Sequence, residues 1–245
     1  MAVMEMQEVL FDITIPVLNE EDSLSENIMV LHDFLEETFK DVDWRITIAD
    51  NGSIDNTHAI AAALSRENKN ISELTVERPG VGLALKTAWI ESRAIIIGFM
   101  DLDLATDLRH IPEAINGIKE NGYDFVYGSR LNPKSKVSDR PLHREVMSRV
   151  FNLLLKLILR TKFSDGFCGF KFMRASKWNE IYDRGAKNDG WFFSPETLIA
   201  AEFLGLNILE LPVEWRHGRD SKVRIIKHTV HSLRGMLNMR KYKYI

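Results

Sequence analysis

Two carboxylates follow a short apolar run near the middle of this chain. The run, residues 94–100, is rich in β-branched side chains and is bounded by polar residues, as a buried strand would be. Asp101 and Asp103 come directly after it, two positions apart. Residues with that spacing face the same side of an extended chain, so both carboxylates can meet one ligand. Hard oxygen donors in this arrangement favour Mg²⁺ or Mn²⁺ shared with the phosphates of a nucleotide.

Two interpretations fit an Asp-x-Asp pair taken alone: a metal and nucleotide site, or a solvated acidic turn before a helix. Further strands are expected at 11–16, 45–49 and 74–76, each followed by a polar or glycine-containing turn and a helical pattern. This alternation predicts a mostly parallel central sheet with helices on both faces. Four turns are expected to meet at one edge of that sheet: 16–20, 50–53, 80–82 and 101–103. Their convergence favours the nucleotide site.

The glycine turn limits the class of nucleotide chemistry. Gly80 and Gly82 form neither the Gly-x-Gly-x-x-Gly pattern of dinucleotide binding nor the Gly-Lys-Ser/Thr of a phosphate loop. Hydride transfer and ATP hydrolysis are therefore disfavoured. Two interpretations stay open: the glycines shape a loop, or they let backbone N–H groups approach a phosphate that Lys86 also faces.

Length and composition are those of one large globular domain. The chain has 245 residues, of which 45% are hydrophobic and 27% charged, enough for a buried core. No apolar run reaches the length of a membrane span, and the first residues lack a signal-peptide pattern. The single cysteine, Cys168, excludes an internal disulfide, fits a reducing cytoplasm and is expected to be structural.

Positive charge is concentrated in two segments. Residues 130–162 carry a net charge of +7 and residues 216–245 one of +8, in a chain whose total is −3. Such segments indicate an anionic partner: phosphates, nucleic acid or an anionic membrane face. Nucleic acid is the weakest of these, because aromatic residues for base stacking are not interleaved with the charges.

Several motifs in order resemble those of family 2 glycosyltransferases. The first three such motifs are matched by 15–21, 49–55 and 100–103; three further segments, 127–130, 165–171 and 189–193, resemble the branch of dolichyl-phosphate mannose and glucose synthases and their prokaryotic polyprenyl-phosphate relatives. The resemblance implies a Rossmann-like GT-A glycosyltransferase fold. It also implies a catalytic domain over 1–215 and a basic loop and helix over 216–245.

Carried over position by position, the resemblance implies a role for each motif residue. Asp101 and Asp103 would hold Mg²⁺ or Mn²⁺, and Arg130, Arg144 and Ser148 would grip the phosphate of the acceptor. Asp101, Asp103, Arg130 and Glu196 form the expected catalytic set. The expected nucleotide-binding residues are Pro16, Leu18, Glu20, Asp50, Gly52, Lys86, Asp101, Leu102, Asp103, Arg216 and Lys222.

Three positions depart from the family pattern. Asn51 replaces a second Asp, as in some members of the branch, and Ala105 replaces a Gln that helps the metal in mannose synthases. Ser194 stands where relatives carry Asp, so Glu196 or Asp189 would have to cover any role of that carboxylate. A lipid phosphate is already ionised at neutral pH and needs no strong base, whereas a sugar hydroxyl does. Ser194 therefore favours a phosphate acceptor.

The basic segments are expected to contact lipid. The apolar and basic segment 142–162 is either a core helix or a membrane-surface helix that delivers a polyprenyl tail. Within 216–245, Val223, Ile226, Val230, Leu233 and Leu237 repeat at helical spacing among basic residues, as in a membrane-surface helix. In relatives this region often leads into transmembrane helices. The chain is therefore expected to be a stand-alone enzyme, a shortened one, or the partner of a separate membrane protein.

The sequence thus predicts an inverting glycosyltransferase that moves glucose or mannose from a UDP- or GDP-sugar to a polyprenyl phosphate at the cytoplasmic membrane face. One alternative is a family 2 glycosyltransferase with a sugar hydroxyl acceptor. Another is a catalytically weak module that binds a nucleotide-sugar or an anionic lipid, for which Ala105 and Ser194 leave room.

Overall fold

The computed structural model describes residues 9–217 and 225–243. The strands in this part of the chain are β1 (Phe11–Val17), β2 (Trp44–Asp50), β3 (Ile71–Thr75), β4 (Ile96–Met100), β5 (Phe125–Ser129), β6 (Lys136–Ser138), β7 (Phe170–Arg174), β8 (Ile208–Pro212) and β9 (Glu214–Arg216). The helices are α1 (Leu24–Thr38), α2 (Thr57–Glu67), α3 (Val81–Glu91), α4 (His110–Lys119), α5 (Leu142–Leu159), α6 (Trp178–Asp183), α7 (Phe193–Phe203) and α8 (Ile225–Met239).

Seven of these strands form one central sheet in the order β3-β2-β1-β4-β7-β5-β8. Neighbours pair in parallel except around β7, which is antiparallel to both β4 and β5. The mostly parallel sheet expected from the sequence is confirmed. Beside it, β6 and β9 form a two-stranded parallel ribbon.

Apolar side chains cover the sheet on both faces. On one face α1, α2 and α4 contribute Leu31, Ala61 and Ile115 to a continuous core. On the other face α3, α5, α6, α7 and α8 form a second core, to which α3 and α8 contribute Trp89 and Met236. The two layers of helices hold the carboxyl ends of β1 to β4 in fixed positions relative to one another.

Two sequence predictions of element bounds were too short. The strand expected at 74–76 begins at Ile71, because β3 is an edge strand whose polar Ser72 and Glu73 carry no apolar signal. The strand expected at 45–49 runs over Trp44–Asp50.

The helix expected over 142–162 is half buried rather than wholly in the core. Ser148, Asn152, Leu155 and Leu159 of α5 are buried. The opposite side exposes a stripe of apolar residues: Leu142, Val146, Val150, Leu153 and Leu157. None of the helices in the described ranges has the length and apolar character of a membrane span.

Candidate active site

The turns after β1 and β2 are tied together by side chains. The N–H of Asn19 donates to Ser53 Oγ at 2.9 Å, and the N–H of Ile54 donates to Asn19 Oδ1 at 2.9 Å. The N–H of Glu20 donates to Thr57 Oγ1 at 2.8 Å. Asn19 has a φ of 54°, a left-handed conformation that Asn adopts more readily than most residues. These hydrogen bonds join the motif at 15–21 to the motif at 49–55, and Leu18 is partly exposed beside them.

Asp50 and Asn51 connect the second turn to the glycine turn. The Asp50 carboxylate is buried and accepts the N–H of Ser53 at 3.0 Å, across a turn in which Gly52 has a φ of +80°. Asn51 Oδ1 accepts the N–H of Gly80. The expected convergence of these three turns at the carboxyl edge is confirmed, but the Asp50 side chain faces its own turn.

The glycine turn lies against residues 187–190. A Cβ atom on Gly82 would overlap the carbonyl oxygen of Asn188. The close approach of these two backbone segments is possible because glycine has no Cβ atom. Lys86 Nζ donates to Lys187 O at 2.8 Å and to Asp189 Oδ1 at 2.6 Å. The Lys86 side chain is mostly buried. The ammonium group of Lys86 is therefore engaged with this loop, and its contact with a phosphate stays a prediction.

Asp101 and Asp103 follow β4 as expected. A Cβ atom on Gly169 would overlap the Asp101 carboxylate, so the glycine makes room for it. Asp103 Oδ1 accepts the N–H of Ala105 at 3.1 Å. Burial and then the charge of Asp103 raise the pKa of Asp101 to about 7. Desolvation also raises the pKa of Asp103. Each carboxylate disfavours ionisation of the other, and a cation bound between them would stabilise both in the ionised form.

Arg130 lies close enough to these aspartates that its charge opposes both shifts. Its guanidinium makes a bidentate pair with the buried Asp165, with Nε–Oδ2 at 2.7 Å and Nη2–Oδ1 at 3.0 Å. Burial alone would raise the pKa of Asp165, but the charge and hydrogen bonds of Arg130 hold it at about 2. The pair fixes the direction of the largely buried Arg130 side chain.

Lys171 holds the turn between Asp165 and Gly169. Its ammonium group is buried and donates to Gly166 O at 3.0 Å, Cys168 O at 2.6 Å and Ser194 Oγ at 2.7 Å. Burial lowers the pKa of Lys171 to about 8. Ser194, where relatives carry Asp, therefore faces Lys171 inside the protein. Cys168 is buried, as its expected structural role requires.

The buried face of α5 adjoins the same turn. Asn152 Oδ1 accepts the N–H of Gly166 at 2.8 Å, and Asn152 Nδ2 donates to Ser148 O at 2.9 Å. Ser148 is buried on this face, and Arg144 lies one helical turn before it. The binding of an acceptor phosphate by Arg130, Arg144 and Ser148 stays a prediction.

The other predicted site residues differ in how exposed they are to solvent. Pro16 lies within β1 beside Ala49, and Leu102 is buried between the two aspartates. Arg216 is largely exposed, with its Nε 3.0 Å from Asp139 Oδ2. Glu196 is buried and accepts the N–H groups of Lys187 and Asn188 at 3.0 and 2.7 Å. Lys222 lies outside the described residues.

Two residues near the site were not in the predicted set. Arg140 and Arg130 both lie over the Trp215 ring, with Cζ atoms 5.7 and 5.6 Å from its centroid. His217 lies near enough to Asp103 to oppose the rise that burial causes in the pKa of Asp103. Only the pairing of β6 with β9 brings these residues to the site, and no local sequence pattern carried that information.

The carboxylate oxygens of Asp101 and Asp103 fit a divalent cation whose coordination shell is completed by a bound ligand. Within residues 9–217 and 225–243, no three His, Cys, Asp or Glu side chains gather as a metal-ligand cluster. Asp101 and Asp103 supply carboxylate oxygens, which Mg²⁺ and Mn²⁺ prefer, and diphosphate oxygens would supply the rest. The two aspartates therefore fit a metal that binds together with a nucleotide.

Comparison with known protein families identifies the family of this chain. The profile of "Glycosyl transferase family 2" matches residues 12–181, more than half of the sequence. The chain belongs to this family, as the resemblance of its motifs indicated.

Curated relatives agree with the branch predicted from the motifs. The chain is 32% identical to the glycosyltransferase AglD of Haloferax volcanii over 88% of its own length, but it spans only 34% of that protein. It is 28% identical to the dolichyl-phosphate beta-glucosyltransferase ALG5C of Trichomonas vaginalis, over 89% of this chain and 67% of that one.

Solved structures show the same fold. Glucosyl-3-phosphoglycerate synthase from Mycobacterium tuberculosis, in complex with Mn²⁺ and UDP-glucose, matches with a TM-score of 0.68 at 17% identity. The match covers 97% of this chain and 80% of that one. The GT-A fold expected from the sequence is confirmed.

Proposed function

We propose that this protein transfers a hexose from a nucleoside diphosphate sugar to a polyprenyl phosphate, with inversion at the anomeric carbon. The observation that carries the proposal is the position of the Asp101–Asp103 pair at the carboxyl edge of β4, within the electrostatic reach of Arg130. The names of the curated relatives support a polyprenyl-type acceptor and a glucosyl donor. One bond forms, from a phosphate oxygen to the sugar, and one breaks, from the sugar to the diphosphate.

The donor would lie over the turns that follow β1 and β2. Leu18, Glu20 and the Asp50 turn would line the nucleoside pocket, and the diphosphate would extend towards Asp101 and Asp103. A divalent cation bound by Asp101 and Asp103 would supply positive charge to the leaving diphosphate. Gly169 leaves the space that the Asp101 carboxylate occupies, so this geometry depends on a residue without a Cβ atom.

The acceptor phosphate would bind beside Arg130, with Arg144 and Ser148 on α5. Arg130 is held by Asp165, so its charge is oriented before the acceptor arrives. A phosphate oxygen is ionised at neutral pH and attacks without a general base. This agrees with Ser194, which here accepts a hydrogen bond from Lys171 and offers no carboxylate. Glu196 is engaged with the backbone of residues 187 and 188, which supports a positioning role for it.

The exposed stripe of α5 supports membrane binding for the acceptor side. Leu142 and Leu157 are 78% and 69% exposed, and Leu153 lies between them at 55%. Lys156, Arg160 and Lys162 are exposed near the C-terminal end of the stripe. An apolar stripe with basic residues at its edge fits the interface of an anionic bilayer. Since the opposite side of α5 carries Ser148, seating the stripe in a cytoplasmic leaflet would bring a lipid phosphate near Arg130.

Vesicle binding tests this orientation. We expect the full chain to cosediment with vesicles of phosphatidylcholine and phosphatidylserine and to bind vesicles of pure phosphatidylcholine less. The double variant Leu153→Gln, Leu157→Gln should weaken binding by at least tenfold. Val30→Gln, a partly exposed position on α1 at the other face of the sheet, is the matched control and should bind as the wild type does. Equal binding by the double variant would contradict the orientation and leave the chemistry untouched.

Thermal unfolding with nucleotides tests the donor site. UDP, GDP, UDP-glucose and GDP-mannose are added singly, each with and without Mn²⁺ or Mg²⁺. A ligand that binds only the folded chain at about 100 times its Kd adds roughly 2.7 kcal/mol, a readily measured shift in Tm. We expect one base to stabilise the protein in the presence of metal and Asp103→Ala to abolish the shift.

Transfer to a short-chain polyprenyl phosphate follows with the donor that binds. Formation of the glycosyl phosphate lipid is the expected result, and Asp103→Ala should lower the rate by about 10²–10³, as for loss of an electrostatic group at the reacting centre. No stabilisation by any nucleotide would overturn the nucleotide-sugar site. Transfer to a sugar hydroxyl and not to the lipid phosphate would favour the alternative acceptor.

A further inference from the structure

Arg140 lies in a segment whose backbone is tightly constrained. Asp139, directly after β6, has a φ of 59° in the left-handed region, and Pro141 follows Arg140 directly before α5. A residue before proline is restricted to extended conformations. The chain therefore turns sharply at Asp139 and directs Arg140 back towards Trp215 on β9.

Two guanidinium groups share the Trp215 ring. The Cζ atoms of Arg130 and Arg140 lie 5.6 and 5.7 Å from its centroid. The side chains are 12% and 8% exposed, so both cations are largely withdrawn from water. A guanidinium group held near an aromatic ring keeps N–H donors at its edge that suit a phosphate.

The two arginines differ in how well their charges are compensated. Arg130 has Asp165 as a bidentate partner, and the pKa of Arg130 is raised even though burial opposes the shift. Burial and then the charge of Arg130 lower the pKa of Arg140, in spite of its contact with Glu145. The charge of Arg140 is thus less well compensated than that of Arg130.

Glu145 is a shared counterion that is partly accessible to solvent. Its Oε2 lies 2.6 Å from Arg140 Nη1, and its Oε1 lies 2.6 Å from Arg149 Nε. Glu145 is 26% exposed, and Arg149 is 64% exposed on the outer surface of α5. A carboxylate that serves two guanidinium groups compensates neither fully, and it can release Arg140 while keeping Arg149.

We propose that Arg140 is a further anion-binding arginine of the acceptor site, in addition to Arg130 and Arg144, and that the Glu145 carboxylate pairs with Arg140 until a phosphate replaces it. The inference rests on the proposed function and adds a residue and a competition to it. Glu145 would then set the affinity for the acceptor phosphate and disfavour weakly charged ligands.

Titration calorimetry of the full chain with geranyl phosphate, a short prenyl phosphate, tests the inference. Arg140→Gln should weaken the Kd by at least tenfold, because a charged hydrogen-bond donor to the phosphate is lost. Arg140→Lys should fall between the wild type and Arg140→Gln, since it keeps the charge without the fork. Glu145→Gln should tighten the Kd severalfold, because the competing charge is removed. Arg66→Gln, which removes one exposed positive charge on α2 that does not contact Glu145, is the control and should bind within twofold of the wild type.

A double-mutant cycle distinguishes competition from a general effect of charge. If Glu145 acts through Arg140, the gain from Glu145→Gln disappears in the Arg140→Gln background. Persistence of the gain there would overturn the role given to Glu145. An unchanged Kd in Arg140→Gln, in a protein with wild-type circular dichroism and nucleotide binding, would overturn the whole inference.

Failure of the inference differs visibly from failure of the proposed function. Binding of geranyl phosphate by the wild type with no response to Arg140→Gln removes Arg140 and leaves the transferase standing. No binding of geranyl phosphate by the wild type would overturn both. Inorganic phosphate, titrated in parallel, separates recognition of the phosphate from recognition of the prenyl chain.

Discussion

The two sides of the site are built by different physical means. On the donor side, the turns after β1, β2 and β3 are joined to one another by neutral hydrogen bonds, in which Ser53 Oγ accepts the N–H of Asn19 and Asn51 Oδ1 accepts the N–H of Gly80. The ion pair of Lys86 with Asp189 ties the helix after the glycine turn to residues 187–190. On the acceptor side, Arg130, Arg140 and Lys171 are buried cations held by carboxylates, carbonyl groups and an aromatic ring.

This difference shows on which side of the site the protein tolerates the free-energy cost of burying charged side chains. Neutral turn hydrogen bonds each contribute little and leave the pocket shape to the sheet. Burying a charge is expensive unless it is paired, and paired charges in an interior are often no more stable than apolar residues of the same volume. The acceptor side keeps such pairs, which is expected where positive charge must be oriented before an anion binds.

The largest effect should come from breaking the buried pair of the acceptor side. Asp165→Asn leaves the Arg130 guanidinium buried without its counterion, and we expect the free energy of unfolding to fall by about 3–5 kcal/mol. Urea denaturation measures the change. Asp107→Asn, which weakens the exposed pair with Arg109, is the control and should cost far less. Equal losses in the two variants would remove the contrast between buried and exposed pairs.

The next effect concerns pH and Glu196, which supports the loop against the glycine turn. Burial raises the pKa of Glu196 from 4.5 to about 7. Between these values the unfolded chain is ionised while the folded chain keeps the proton, so stability falls as pH rises and levels off above about 7. The shift corresponds to about 3 kcal/mol.

Glu196→Gln should remove this component of the pH dependence. Unfolding free energies of the wild type and the variant, measured from pH 4.5 to 8, are expected to diverge in favour of the variant as pH rises. Parallel curves would contradict a raised pKa at this position.

A smaller effect is expected on the donor side. Asn51→Leu removes the acceptor of the Gly80 N–H, and we expect a loss of about 1 kcal/mol, the net contribution of one hydrogen bond. Asn51→Asp keeps an acceptor oxygen and should restore most of the stability in urea denaturation. A loss as large as that of Asp165→Asn would show that the donor side is not the weaker of the two.

The smallest effect on stability should come from the stripe on α5. Leu157 is 69% exposed, so Leu157→Gln should change the unfolding free energy by less than about 0.5 kcal/mol. The same variant should bind anionic vesicles less tightly. A large loss of stability would indicate that the stripe contributes to folding and would weaken the membrane orientation.

Much of the donor side could be predicted because its determinants are local. The runs that became β1, β2 and β4 are apolar and bounded by polar turns, and a parallel sheet places such turns at one edge. Family resemblance extended the prediction to Arg130 and α5. The resemblance did not predict the orientation of the Lys86 side chain, because that depends on Asp189, about a hundred residues later in the chain.

The sequence by itself determined the family, the mostly parallel sheet and the position of the Asp101–Asp103 pair, because each depends on short patterns and strand order. Only the tertiary structure decided the partners of the buried cations: the carboxylate of Asp165 for Arg130, the hydroxyl of Ser194 for Lys171, and the carboxylate of Glu145 and the ring of Trp215 for Arg140. These contacts join Arg130 and Lys171 to partners 35 and 23 residues away in the chain, and the pairing of β6 with β9 brings Arg140 to Trp215. Their energies depend on burial and on the distance between charges, and both are properties of the folded chain.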